Sequence, residues 1–188
     1  MGFSTRMAVA VHAIGYLAFQ EDRPCTSEEI AWSVDTHQVA IRRLLARLRS
    51  AGIVGSQAGP GGGWHLARPV TEITLGAVFR AVEGDPLFAL PAHSARDGCE
   101  VGSVVGNVLR SRFAAAESAL LDHLDRQTMV DLIVDVAVLM GPSPVNFPCD
   151  RFYEITADAS APRSKDRHDW LTDRDEAMAP VRTAPSRD

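Results

Sequence analysis

Cysteine is scarce in this 188-residue chain: Cys25, Cys99 and Cys149 stand 74 and 50 positions apart. That spacing offers no disulfide framework, and the lack of any C-x-x-C pair excludes a zinc ribbon. Long apolar runs are missing too. The longest, Ala8 to Phe19, has twelve residues, contains His12 and is too short to span a bilayer. Gln20-Glu21-Asp22 follow it where a secretory signal would carry a small-residue cleavage site. Met1-Gly2 opens no myristoylation signal, since the sixth position is Arg6. A cytoplasmic protein with no membrane partner is therefore expected. No catalytic set stands out either. The six His residues are scattered, no Ser sits in a nucleophile elbow, and H-E-x-x-H is absent, so nothing supports an enzyme.

Charge of one sign is missing from one stretch. The whole chain carries −5, from 24 acidic and 19 basic side chains, which taken alone argues against a nucleic-acid-coating protein. The distribution says otherwise. Residues 1–69 sum to +2, residues 70–149 to −5 and residues 150–188 to −2. From Thr36 through Thr71 there is no Asp or Glu at all, while Arg42, Arg43, Arg47, Arg49 and Arg68 fall there. Phosphates repel carboxylates and attract guanidinium groups, so a DNA-facing surface is locally basic however acidic the remainder is.

Periodicity and capping residues give the element order. Ser4 is expected to cap a helix to about Phe19, with Met7, Ala10, Val11, Ile14 and Leu17 recurring at helical spacing. Thr26 and Glu29 form a capping box for a short helix to about Val34. Asp35 or Thr36 is expected to cap a third helix to about Ala51, buried through Val39, Leu44, Leu45 and Leu48 and stopped by Gly52. Two short strands, residues 53–57 and 64–66, flank the connection Gly59-Pro60-Gly61-Gly62-Gly63. That connection lacks the Lys-Ser/Thr of a phosphate-binding loop and opens no helix. Thr74 caps a fourth helix to about Val82, a long helix follows over about Val101–Leu124, and Thr128 caps a last one to about Met140.

This order predicts a mainly α fold with a small β-hairpin: a winged helix-turn-helix, a long dimerisation helix and a C-terminal tail. The expected divisions are a DNA-binding domain over 1–84, linker and dimerisation helices over 85–140, and a disordered tail over 141–188. The tail is rich in Pro and charge and has no apolar period. Leu109, Phe113, Ala116, Leu120 and Leu124, preceded by Val101, Val104, Val105 and Val108, give the long helix an apolar face that a partner chain would bury. In the third helix, Thr36, His37, Gln38 and Arg42 are candidates for base edges or nearby phosphates, with Arg43 beside them. Gln suits adenine and Arg suits guanine. Arg47 and Arg49 lie toward the far end of that helix, where phosphate, the partner helix or no neighbour at all is expected.

Several segments carry a family resemblance. They are Ser4-Thr5-Arg6, Glu29-Ile30-Ala31, Leu44 through Val54, Gly59 through Arg68, Ile73-Thr74-Leu75 and Ala81-Val82-Glu83-Gly84. In that order, over roughly residues 2–140, the chain resembles the Rrf family of bacterial winged-helix transcriptional regulators, the IscR/NsrR-like proteins. The resemblance implies a homodimer that binds a double-stranded DNA operator as a repressor or an activator, and a repressor answering redox or small-molecule stress is the expected function. Cluster-bearing members carry three closely spaced cysteines just before the long helix. Here only Cys99 stands there, with His93 and Asp97 nearby, so a cluster-less member is expected and no iron–sulfur cofactor or metal.

Members often place an Arg directly before the wing glycines. This chain has Ala58, which leaves wing readout to Gln57, Gly61, Gly62, His65 and Arg68. Cys99 precedes a helix whose amides favour a thiolate while Asp97 and Glu100 oppose it; it is a redox-sensing candidate, with a packed thiol as the alternative. Two other functions stay open: a winged-helix protein-interaction module that does not bind DNA, and a cluster-bound sensor.

Overall fold

The computed structural model describes residues 5–20, 23–84, 86–90 and 99–140. Its elements are α1 (Arg6–Phe19), α2 (Ser27–Val34), α3 (Gln38–Ser50), β1 (Val54–Gln57), β2 (Gly63–Leu66), a 3-10 turn (Val70–Glu72), α4 (Leu75–Val82), α5 (Glu100–Leu124) and α6 (Met129–Met140). Packing divides the chain between Met129 and Val130. The expected Ser4 cap, His93, Asp97, Cys149 and the tail over 141–188 lie outside the described residues. Among the described residues no helix is long and apolar enough to cross a membrane.

The core of the first unit follows from four helical stripes. Ile14 and Leu17 of α1, Ile30 of α2, Leu45 and Leu48 of α3, and Val78 and Val82 of α4 are buried together with Ile53, Val54, Ile73 and Met129. Each such side chain contributes roughly 1.5–3 kcal/mol on leaving water. The stripe of α3 differs from expectation at its start. Ile41, Leu44, Leu45 and Leu48 are buried, whereas Val39 is 58% exposed. Two positions from Ile41 is about 200° around a helix, so Val39 sits on the opposite side from the core.

The caps are part expected, part new. Thr74 accepts from the Ala77 amide at 3.0 Å, opening α4. Thr5, whose side chain makes no capping bond, is the N-cap of α1. The N-cap of α3 is His37, again without a side-chain bond, rather than Asp35 or Thr36. Asp35 has a different task. At φ 55 it is the left-handed C-cap of α2, and this lets the chain reverse within three residues before α3 begins. Asp tolerates this conformation better than most residues.

The hairpin is antiparallel, pairing Val54 with Leu66 through Gln57 with Gly63. It has a third member that the sequence did not announce. Cys25 and Trp64 exchange backbone bonds of 2.8 and 2.7 Å, so the segment ahead of α2 lies along β2. Cys25 is fully buried there, and burial pushes its thiol pKa up. Gly63 permits the approach, since a Cβ on it would stand 2.6 Å from the Cys25 carbonyl oxygen. At the other end, Thr74 and Thr128 form a second bridge, with Leu75 donating to Gln127 and Met129 to Ile73, each at 2.8 Å. Arg80 adds a two-pronged pair with Asp125 at 2.6 and 2.9 Å, which fixes the last turn of α5 against α4. In the second unit, Ile133 and Val134 of α6 are buried and Val136 is exposed.

The capping box of α2 is complete and carries an extra charge. Glu29 donates its amide to Thr26 Oγ1 at 3.2 Å, and Glu29 Oε2 accepts from the Thr26 amide at 2.7 Å. Arg23 pairs with Glu29 Oε1 at 2.8 Å. Arg23 first, then the Thr26 bonds, hold the Glu29 carboxyl down to about 2. A carboxylate depressed on folding stabilises fully above its unfolded value of about 4.3, and that stability is lost as pH falls toward the folded value. Glu29→Gln should therefore melt below the native protein at pH 7, with the difference shrinking below about pH 4.3 and closing near the folded pKa of about 2. Thermal melts across that range check it; a difference independent of pH would contradict the assignment.

Candidate nucleic-acid interface

The solvent side of α3 is built by exclusion. With Ile41, Leu44, Leu45 and Leu48 turned inward, Val39, Arg42 and Arg43 are left on the exposed side, at mutual spacings of three and four. His37 is exposed at the start of the helix, and Thr36 and Gln38 are half-buried beside it. These are the third-helix positions expected from sequence, now joined by Val39.

A residue of α2 holds two of them. Ser27 is the first residue of α2 and is buried. Its hydroxyl oxygen accepts from Arg42 Nε at 3.0 Å and from Gln38 Nε2 at 3.2 Å. Arg42 is thus gripped through its inner nitrogen, leaving both terminal nitrogens of the fork free to donate. Arg43 makes no hydrogen bond or ion pair among the described residues and stands open to solvent. Sequence reasoning missed Ser27 because it lies eleven and fifteen positions from its partners, and only the packing of α2 on α3 brings them together.

The remaining arginines of the acid-free stretch take other tasks. Arg47 donates to the Val82 carbonyl at 2.7 Å, satisfying the open end of α4, so it is a structural residue. Arg49 donates to Ser56 Oγ at 3.1 Å and lies 5.8 Å from the Trp64 ring centre, bracing the hairpin from behind. Arg68 is half-buried, and its Nε is buried with no partner in the described structure.

In the wing, Gln57, Ala58 and Gly61 are exposed and Gly62 is half-buried. Gly59 and Gly61 take φ of 97 and 73, and Gly62 donates to the Gly59 carbonyl at 3.0 Å, closing the tip. A side chain at Gly62 would collide with the Gln57 carbonyl oxygen. His65 is exposed, and its ring lies across Gly55 on the paired strand, in the space where a Cβ would be.

Cys99 is also exposed rather than packed. It is the N-cap of α5, its sulfur accepting from the Gly102 amide at 3.2 Å. As a donor set for an iron–sulfur cluster the surroundings do not fit. Such clusters are held chiefly by several thiolates, while Cys25 is buried in the hairpin bridge and Cys99 stands alone at the start of α5. Among the described residues no three His, Cys, Asp or Glu side chains converge on a metal position.

A helix–turn–helix with a left-handed residue at the turn, an arginine-bearing second helix turned to solvent and a glycine-tipped hairpin behind it define a winged helix-turn-helix DNA-binding protein. The chain belongs to the Rrf2 family, described as iron-dependent transcriptional regulators, which it matches over residues 3–135. It is 32% identical over 131 residues to YwnA of Bacillus subtilis, named as an HTH-type transcriptional regulator; the match covers 69% of this chain and 96% of that one. A solved structure of a Lactobacillus plantarum protein described as a transcriptional regulator superposes with a TM-score of 0.63 at 25% identity, over 70% of this chain and 89% of the other. T. potens IscR superposes at 0.56, also at 25% identity, over 76% and 93%. The protein is a DNA-binding transcription regulator.

Proposed function

We propose that this regulator is a cytoplasmic homodimer without enzymatic activity that reads a double-stranded operator as two half-sites, residues 1–84 forming the DNA-binding domain and 85–140 the linker and dimerisation helices. In this reading α3 enters the major groove. The observation that carries it is the Ser27 grip on Arg42 and Gln38. A guanidinium fixed at Nε and free at both ends suits guanine O6 and N7, and Gln38 beside it suits adenine. Thr36, His37 and Arg43 flank them for base edges or phosphates. Gln57, Gly61, Gly62, His65 and Arg68 face the backbone or minor groove beside the wing. We further propose repression as the sign of regulation, since a dimer occupying promoter DNA excludes other proteins without needing a second binding surface.

Dimer formation rests on α5. This helix runs 25 residues with none buried, and Val101, Val104 and Val108 are 71%, 57% and 54% exposed. Their three- and four-residue spacing makes one continuous apolar face, which a second copy would cover. Phe88 stacks on Phe113 at 4.8 Å, and Glu117 Oε1 accepts from the Leu87 and Phe88 amides at 2.8 and 3.3 Å. Leu87 and Phe88 thus lie against the middle of the helix, away from the exposed valines at its start.

Operator binding, iron content, promoter transcription and sedimentation test the reading. An operator recovered from random duplexes should bind Arg42→Ala about tenfold or more weakly than the native protein, the usual cost of a lost bidentate base contact. Ser27→Ala should lose about fivefold, one hydrogen bond's worth, with little change in melting. Combined with Arg42→Ala it should add less than its single effect. Equal binding by all variants would remove the recognition-helix assignment. The same active preparation should be colourless and free of iron, and an operator placed across a promoter should lower its transcription. For the dimer, Val104→Asp with Val108→Asp should sediment as a monomer, with melting of the DNA-binding half unchanged; a dimer retained would refute it.

A further inference from the structure

Val39 is the one large apolar side chain on the α3 face that carries Arg42 and Arg43, and at 58% exposure it has no role in the core. An exposed β-branched residue in a helix costs propensity and gains nothing from burial. Its position accounts for it. Arg42 lies three residues on and Arg43 four, so the Val39 methyls sit on the same surface as the two guanidinium groups. Gln38 precedes it, and its amide is held by Ser27 together with Arg42 Nε. The grip fixes the side chains on both sides of Val39, so that its methyls meet the same base step each time the helix seats.

Resting on the proposed reading of α3 as the recognition helix, we propose that Val39 is a specificity-determining residue that packs against the C5-methyl group of a thymine in each half-site. The major-groove edge of thymine offers one apolar group, that methyl, beside its O4 acceptor, and cytosine and uracil lack it. Valine has no donor or acceptor to offer a base edge, so the methyl is the feature it can select. Burying a methyl group against another is worth about fourfold in affinity.

The test replaces each thymine of the selected operator in turn by deoxyuridine, which removes the methyl and keeps the pairing. Native protein should lose about fourfold at one thymine per half-site. Val39→Ser, a change at an exposed position that melting should confirm as folded, should bind the native operator more weakly and show no difference between thymine and uracil at that position. Val39→Thr, which keeps a methyl, should retain part of it. A protein that binds its operator but ignores every deoxyuridine, or a Val39→Ser variant that still senses the same one, overturns the inference while leaving the recognition helix in place. Failure to select any operator overturns both.

Discussion

The third helix has a single apolar stripe, and burying it constrains nearly everything else. Ile41, Leu44, Leu45 and Leu48 must leave water together, and α1, α2 and α4 enclose them. Once those four positions are committed, helical geometry leaves no freedom in what the exposed side displays, Val39, Arg42 and Arg43 among it. The left-handed Asp35 sets the angle at which α3 leaves α2, and that angle brings Ser27 under Gln38 and Arg42. Core packing and the geometry of the exposed face are in this sense one problem, since a shift of the stripe would also break the Ser27 grip.

The charged residues divide by partner rather than by position in the chain. Arg47 closes the end of α4, Arg49 braces the hairpin, Arg23 completes the α2 cap and Arg80 ties α4 to α5 through Asp125. Pairs as exposed as Arg80 and Asp125 contribute little to stability in water. Their effect is to fix the direction of α5, whose valine face is the surface proposed for the second copy. Arg42 and Arg43 are the arginines of α3 whose terminal nitrogens point to solvent unspent, and this is where a polyanion would be met.

Much of the fold was legible because its signals are local. The Thr26–Glu29 box, the Thr74 cap, Gly52 past the end of α3 and the glycine-tipped hairpin each depend on residues a few positions apart. Errors arose where two neighbouring signals competed. Asp35 and Thr36 are good N-caps by type, yet Asp35 was needed for the turn, so the cap passed to His37. Val39 fits an apolar pattern read loosely, and only the true phase of the helix, set by Ile41, puts it outside. The Cys25 strand is a single bridge with no alternation to detect.

The candidate site divides the same way. Sequence alone determined the element order and the acid-free stretch in which the arginines of α3 fall, because composition and short-range pattern carry that information, and its ordered motifs carried the family resemblance. Which arginines remain available was decided only by tertiary structure. Arg42, Arg43, Arg47 and Arg49 are alike in type and share one helix, and their separate fates depend on a serine, a carbonyl and an indole from three other elements. Hydrogen-bond partners at that sequence separation are fixed by how helices pack, and packing is a property of the whole chain.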